Sequence, residues 1–60
     1  MRIKTKNKIV EVSNIEYDEG RCIIYTDEFA IIIDDYITFT EYLKQLLTHG
    51  YADLSSYKEI

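Results

Sequence analysis

The sequence predicts an α+β fold in one domain, residues 1–60: a small antiparallel sheet of about four strands, built as two hairpins, followed by one C-terminal helix. Three observations predict it. Apolar residues recur at period two up to about residue 34, which is the strand signature. Short polar pairs and one glycine interrupt that alternation where turns are needed. A single segment with apolar residues at helical spacing then occupies 39–49, ended by Gly50.

The first hairpin joins strands at about 1–5 and 8–17 around Lys6-Asn7, Asn being a residue that tolerates positive φ. This register sets Ile3 opposite Val10, Met1 opposite Val12 and Arg2 opposite Glu11, an attractive cross-strand pair. Past Val12 the apolar parity slips from even to odd positions. A bulge or break near Ser13-Asn14 restores Ile15 and Tyr17 to the same face.

Asp18-Glu19-Gly20 reads as a three-residue loop with Gly20 in the left-handed region. Strands at 21–26 and 29–34 follow, joined through Asp27-Glu28. That turn pairs Thr26 with Phe29, Ile24 with Ile31, Cys22 with Ile33 and Arg21 with Asp34.

For the helix, Thr38 and Glu41 match the T-x-x-E capping box, with Ile37 placed to staple onto Tyr42. Phe39, Leu43, Leu46 and Leu47 form its apolar stripe. Gly50 suits a C′ position, with Tyr51 able to close onto Leu46. The tail, 51–60, either adds a short helical turn carrying Leu54 and Tyr57 or frays.

The stretch RCIIYTDEFAIIIDDY, residues 21–36, is apolar on both strand faces. One face carries Cys22, Ile24, Phe29, Ile31 and Ile33; the other carries Ile23, Tyr25, Ala30 and Ile32. A strand apolar on both faces is expected to be buried on both, and one helix covers only one. Two solutions present themselves. A second copy covers Ile23, Tyr25, Ala30 and Ile32, making them a self-association surface; alternatively the sheet curls into a small barrel.

The totals bound the function. A 60-residue chain is marginal alone and commonly relies on disulfides, metal or oligomerisation. One Cys and one His allow neither an internal disulfide nor a Cys/His zinc site. Net charge is −4, with Arg2, Lys4, Lys6 and Lys8 concentrated in an acid-free opening octet. The acidic remainder argues against nucleic acid as main ligand, since phosphate contacts need clustered bases. No apolar run reaches a membrane span and no signal peptide opens the chain, so the expected compartment is cytoplasmic.

No acid, base and nucleophile constellation is evident, so no enzyme activity, catalytic residue, metal or cofactor is expected. His49 fits the helix C-terminus, where an imidazolium complements the dipole. Cys22 fits apolar packing rather than a reactive thiolate. The acid pairs Asp18-Glu19, Asp27-Glu28 and Asp34-Asp35 lack the D-x-D-x-D-G calcium-loop spacing and read as turn chemistry. They also make acidic tips able to dock on a basic surface or imitate nucleic-acid phosphates. Six tyrosines add the residue type that binding surfaces favour. Tyr17, Asp18, Glu19, Asp27, Glu28 and Tyr36 are therefore the candidate partner-binding residues.

The opening MRIKTKNKIVEV and the Ile-, Lys- and Tyr-rich composition resemble the short proteins encoded by phages and mobile elements of low-GC Gram-positive bacteria. The resemblance is one of style and transfers no functional residue. It implies a class of host-takeover or anti-defence proteins, often acidic homodimers, that bind and block a larger host protein. The expected function is accordingly a small non-enzymatic protein-binding module, a homodimeric inhibitor or modulator of a host defence protein. The alternatives are a nucleic-acid-associated regulator using the basic N-terminal hairpin, or an acidic nucleic-acid mimic.

Overall fold

The structure, a computed structural model, describes residues 1–57. Its elements are β1 (Arg2–Lys4), β2 (Ile9–Asp18), β3 (Arg21–Thr26), β4 (Ala30–Ile33), α1 (Tyr36–His49) and β5 (Tyr51–Asp53). The strands form one sheet in the order β4-β3-β2-β1-β5, antiparallel except where β5 runs parallel to β1. The expected α+β class holds, with five strands rather than four. The fifth comes from the start of the tail, where a helical turn or fraying was expected; the part of the tail beyond Tyr57 lies outside the described residues.

Both hairpin registers agree with the expectation. Arg2 faces Glu11 and Ile3 faces Val10. Cys22 faces Ile33 and Ile24 faces Ile31. The extra residue of β2 falls between Val12 and Asn14, which makes Ser13 the bulge. The first half of β2 pairs with β1 and the second half with β3, so the bulge marks the corner where the strand bends from one hairpin into the other.

The turns differ in detail. Asp18 pairs with Arg21, leaving a two-residue loop in which Glu19 (φ 49°) and Gly20 (φ 81°) are both left-handed. This is the primed turn that matches strand twist, and it replaces the expected three-residue loop. The other two hairpins use no positive φ. Instead a threonine precedes each loop. The Thr5 hydroxyl donates to the Lys8 carbonyl (3.1 Å) and accepts from the Lys8 N–H (3.3 Å). The Thr26 hydroxyl donates to the Phe29 carbonyl (2.7 Å) and accepts from the Phe29 N–H (2.8 Å). The side chain thereby supplies turn bonds that a left-handed residue would otherwise be needed to make.

The helix starts earlier than expected. Asp35, not Thr38, is its N-cap; the Asp35 carboxylate accepts from the Thr38 N–H at 3.0 Å. Ile37 is consequently inside the first turn and 70% exposed, so it does not staple onto Tyr42. Phe39 and Leu46 are buried and Leu43 half-buried, but Leu47 is 73% exposed. The stripe continues through Tyr42, giving 39-42-43-46 spacing. Gly50 ends the helix at φ 70°, its N–H donating to the Leu46 carbonyl (2.8 Å). Its own carbonyl accepts from the Arg2 N–H (2.9 Å), so the cap leads straight into β5.

The core lies between the helix and one sheet face. Ile3, Val10, Cys22, Ile24 and Ile33 meet Phe39, Leu46, Ala52 and Leu54 there. The sheet is curled around this core. β4 and β5 are opposite edges, about 19 Å apart in a flat five-stranded sheet. Yet the Asp34 N–H just beyond β4 donates to the phenol oxygen of Tyr57, which follows β5 by one turn closed by Tyr57 N–H to Leu54 carbonyl (3.0 Å). One turn and one side chain cannot span the flat distance, so curvature closes it. Curling was one of the two expected ways of burying the central hairpin, and here it leaves the outer face of the sheet open.

Candidate functional site

Strand parity places Ile23, Tyr25, Ala30 and Ile32 together on the outer face, away from the helix, with Ile23 opposite Ile32 and Tyr25 opposite Ala30. Their exposures differ from a uniform open patch. Ile32 is 43% exposed and Ala30 is exposed, but Tyr25 is half-buried and Ile23 is buried. Ile23 stands in register between Glu16 on β2 and Ile32 on β4. The Tyr25 hydroxyl donates to Glu16 Oε1 at 2.8 Å beside it. That hydrogen bond, then burial, holds the Tyr25 phenol above its ordinary pKa, so it stays a protonated donor. Ile23 is thus part of the fold's own packing, and Ala30 and Ile32 are the accessible apolar groups.

The six residues expected to meet a partner fall into two groups. Tyr17 and Tyr36 come together, their ring centroids 5.1 Å apart, and each is just over half exposed (56% and 55%). Tyr17 also stacks toward Phe39, at 6.2 Å. Asp18 and Glu19 continue from Tyr17 into the β2–β3 turn, so these four residues share one end of the molecule. Asp27 and Glu28 lie at the other end of β3, six residues away along the strand, roughly 20 Å. There Glu28 forms an ion pair with Lys8, which raises the Lys8 pKa.

Beneath the tyrosine pair, Cys22 faces Tyr17 across the ladder and is buried. Burial, and secondly the negative charge of Asp35, pushes its thiol pKa up, the opposite of what a thiolate nucleophile needs. Hydrogen bonds from the Thr38 side chain and backbone hold the Asp35 carboxyl below the usual range. His49 occupies the last helical turn, as expected.

Two of the four N-terminal bases have acidic neighbours. Lys8 is engaged by Glu28, and Lys4 lies beside Asp53 in the β1–β5 register. The expected Arg2–Glu11 ion pair is absent among the described residues; Glu11 instead meets the Met1 ammonium at 3.3 Å. Arg21 and Asp34 likewise form no ion pair. Among the described residues no three His, Cys, Asp or Glu side chains converge as metal ligands. Among the described residues no helix is long and apolar enough to cross a membrane.

The Tyr17–Tyr36 pair, which supplies a second surface, was not foreseeable as a pair, since it joins a strand to a helix start that sequence spacing placed three residues later. Together the fold and these surfaces define a small curled α+β domain whose distinctive features are surface patches. No protein-family model matches the chain, and no curated protein or solved structure matches it either.

Proposed function

We propose that this chain is a small non-enzymatic binding module that self-associates through the outer face of its central hairpin and acts by occupying the surface of a larger protein, as an inhibitor or modulator. The observation that carries this reading is the contiguous apolar surface of Ala30 and Ile32 beside Tyr25, on the face that the helix leaves uncovered. A second copy offers the same patch, and a two-fold contact is self-complementary. The Tyr17–Tyr36 pair with Asp18 and Glu19 then remains free for the target. Its two aromatic rings pack against each other while each residue stays just over half exposed, and tyrosine is among the residues favoured in binding hot spots.

Sedimentation of the intact protein tests the self-association. The expected result is a dimer mass for the wild type and a monomer mass for Ile32→Lys with an unchanged circular dichroism spectrum. A monomeric wild type, or a dimeric Ile32→Lys, overturns it. For the target surface, Tyr17→Ala with Tyr36→Ala is expected to abolish binding to a protein that the wild type captures from host lysate; retained binding refutes the assignment.

A further inference from the structure

The outer edge of β4 is a second surface, distinct from the face that Ala30 and Ile32 present. Thr26 and Phe29 form a hydrogen-bonded pair, the Thr26 N–H donating to the Phe29 carbonyl at 2.7 Å. Such pairs alternate along an antiparallel ladder. Ile24–Ile31 and Cys22–Ile33 are therefore hydrogen-bonded pairs, while Tyr25–Ala30 and Ile23–Ile32 are not. It follows that the main-chain N–H and C=O groups of Ala30 and Ile32 point away from β3. The next outward donor in the series, the Asp34 N–H, is accepted by the Tyr57 phenol oxygen at 3.0 Å. That bond independently supports the assigned direction. Among the described residues, no strand pairs with this edge.

The chain flanks the edge with acids, Asp27 and Glu28 before it and Asp34 and Asp35 after it. Lys8 engages Glu28, and Arg21 stands beside Asp34 in the continued register without an ion pair, so each end keeps a net negative charge. These charges decide between occupants. A second β4 can pair antiparallel through these outward groups in two registers of equal overlap, Ala30 against Ile32 or Ile32 against Ile32. The first sets Glu28 opposite Asp34 and Asp27 opposite Asp35; the second sets Asp34 and Asp35 opposite Ala30 and Phe29, next to Glu28 of the other copy. Either register brings like charges together, which is destabilising, so the edge is guarded against its own copy. An extended segment with an apolar middle and a basic residue at each end has the opposite property.

We propose that the β4 edge takes such a segment from a partner protein as an added antiparallel strand, with the Ala30 and Ile32 main chain supplying the hydrogen bonds and the flanking acids selecting for lysine or arginine. Strand addition of this kind draws affinity from the backbone and specificity from the ends. It concerns a different surface from the proposed dimer contact and stands whether or not the chain self-associates.

The test uses two fluorescein-labelled synthetic peptides with the same alternating Val/Thr middle, one with lysine at both ends and one with glutamate. The lysine-ended peptide is expected to bind the intact protein roughly tenfold more tightly, from two reversed charge pairs. The amide resonances of Ala30 and Ile32 are expected to shift. Asp27→Lys with Asp34→Lys inverts the preference. Ile32→Pro removes an outward N–H that the β3 ladder does not use and abolishes binding. Should that variant unfold, N-methylation of the peptide's pairing residues must abolish binding to the wild type instead. Equal binding of the two peptides, binding of neither, or shifts confined to the Tyr17–Tyr36 end overturns the proposal.

Discussion

The backbone N–H of Asp34 donates to the phenol oxygen of Tyr57 at 3.0 Å, joining the end of β4 to the segment that follows β5. This bond ties the two outer strands of the curled sheet to each other. Tyr57→Phe keeps the ring, which meets Tyr42 edge-on at 6.1 Å, and removes only the acceptor. The expected loss is about 0.5–1.5 kcal/mol. A domain of this size loses about 4–8 °C in Tm for each kcal/mol, a change that thermal circular dichroism resolves.

Ile24 is fully buried at the centre of β3, facing the helix. Ile24→Val removes one methylene from a packed site and is expected to cost about 0.5–1.5 kcal/mol. Ile24→Ala is expected to cost about 2–5 kcal/mol, comparable to the whole stability of so small a core, about 3–5 kcal/mol. Urea titration should therefore show a shifted midpoint for the first and a largely unfolded chain without denaturant for the second.

Thr5 is the one buried polar residue among the described residues, and its hydroxyl organises the first hairpin turn. Thr5→Val preserves shape and branching but loses those bonds. A destabilisation of about 1–2 kcal/mol is expected, with weaker hydrogen-exchange protection for the Lys8 amide. An unchanged exchange rate there would show that the hydroxyl is not what holds the turn.

Asp35 gives the protein an acid-sensitive helix start. Its carboxyl titrates below the usual range because it accepts hydrogen bonds from Thr38. A depressed folded-state value means that the carboxylate contributes stability above the unfolded value, about pH 4, and that this contribution is lost as pH falls through the folded value. Asp53 is lowered in the same direction by Ser55. Asn caps a helix about as well as Asp but does not titrate. Asp35→Asn is therefore expected to flatten the acid limb of the stability curve while leaving neutral-pH stability nearly unchanged. An acid limb as steep as that of the wild type would contradict this.

The parts of the fold that local chemistry decides were legible in the sequence. Alternation placed the residues of both predicted hairpins in register, and the parity slip after Val12 pointed to an irregularity near Ser13-Asn14, where the bulge falls at Ser13. Gly50 marked the helix end correctly because only a residue at ease with φ 70° fits there. What was missed depends on contacts distant in the chain. Tyr51–Asp53 is too short to carry a strand period, and only the β1 edge makes it a strand. Thr38 and Asp35 are both sound cap residues; Asp35 prevails in a fold where Tyr36 lies against Tyr17. Ile23, one of the expected self-association residues, is buried within the chain itself, which the sequence did not disclose because parity reports a face and not what its neighbours on that face cover.

The parallel pairing of β5 with β1 joins Arg2 to Tyr51 across nearly the whole chain. Every other strand pairing among the described residues is a local hairpin. Loop-closure entropy makes distant pairings slow to form, so the three hairpins and the helix can assemble first, with β5 docking as the final event. Until it does, Ala52 and Leu54 are absent from the core and the β1 edge stands open. The last step of folding and the first step of unfolding are then one and the same movement, the opening of a three-residue strand.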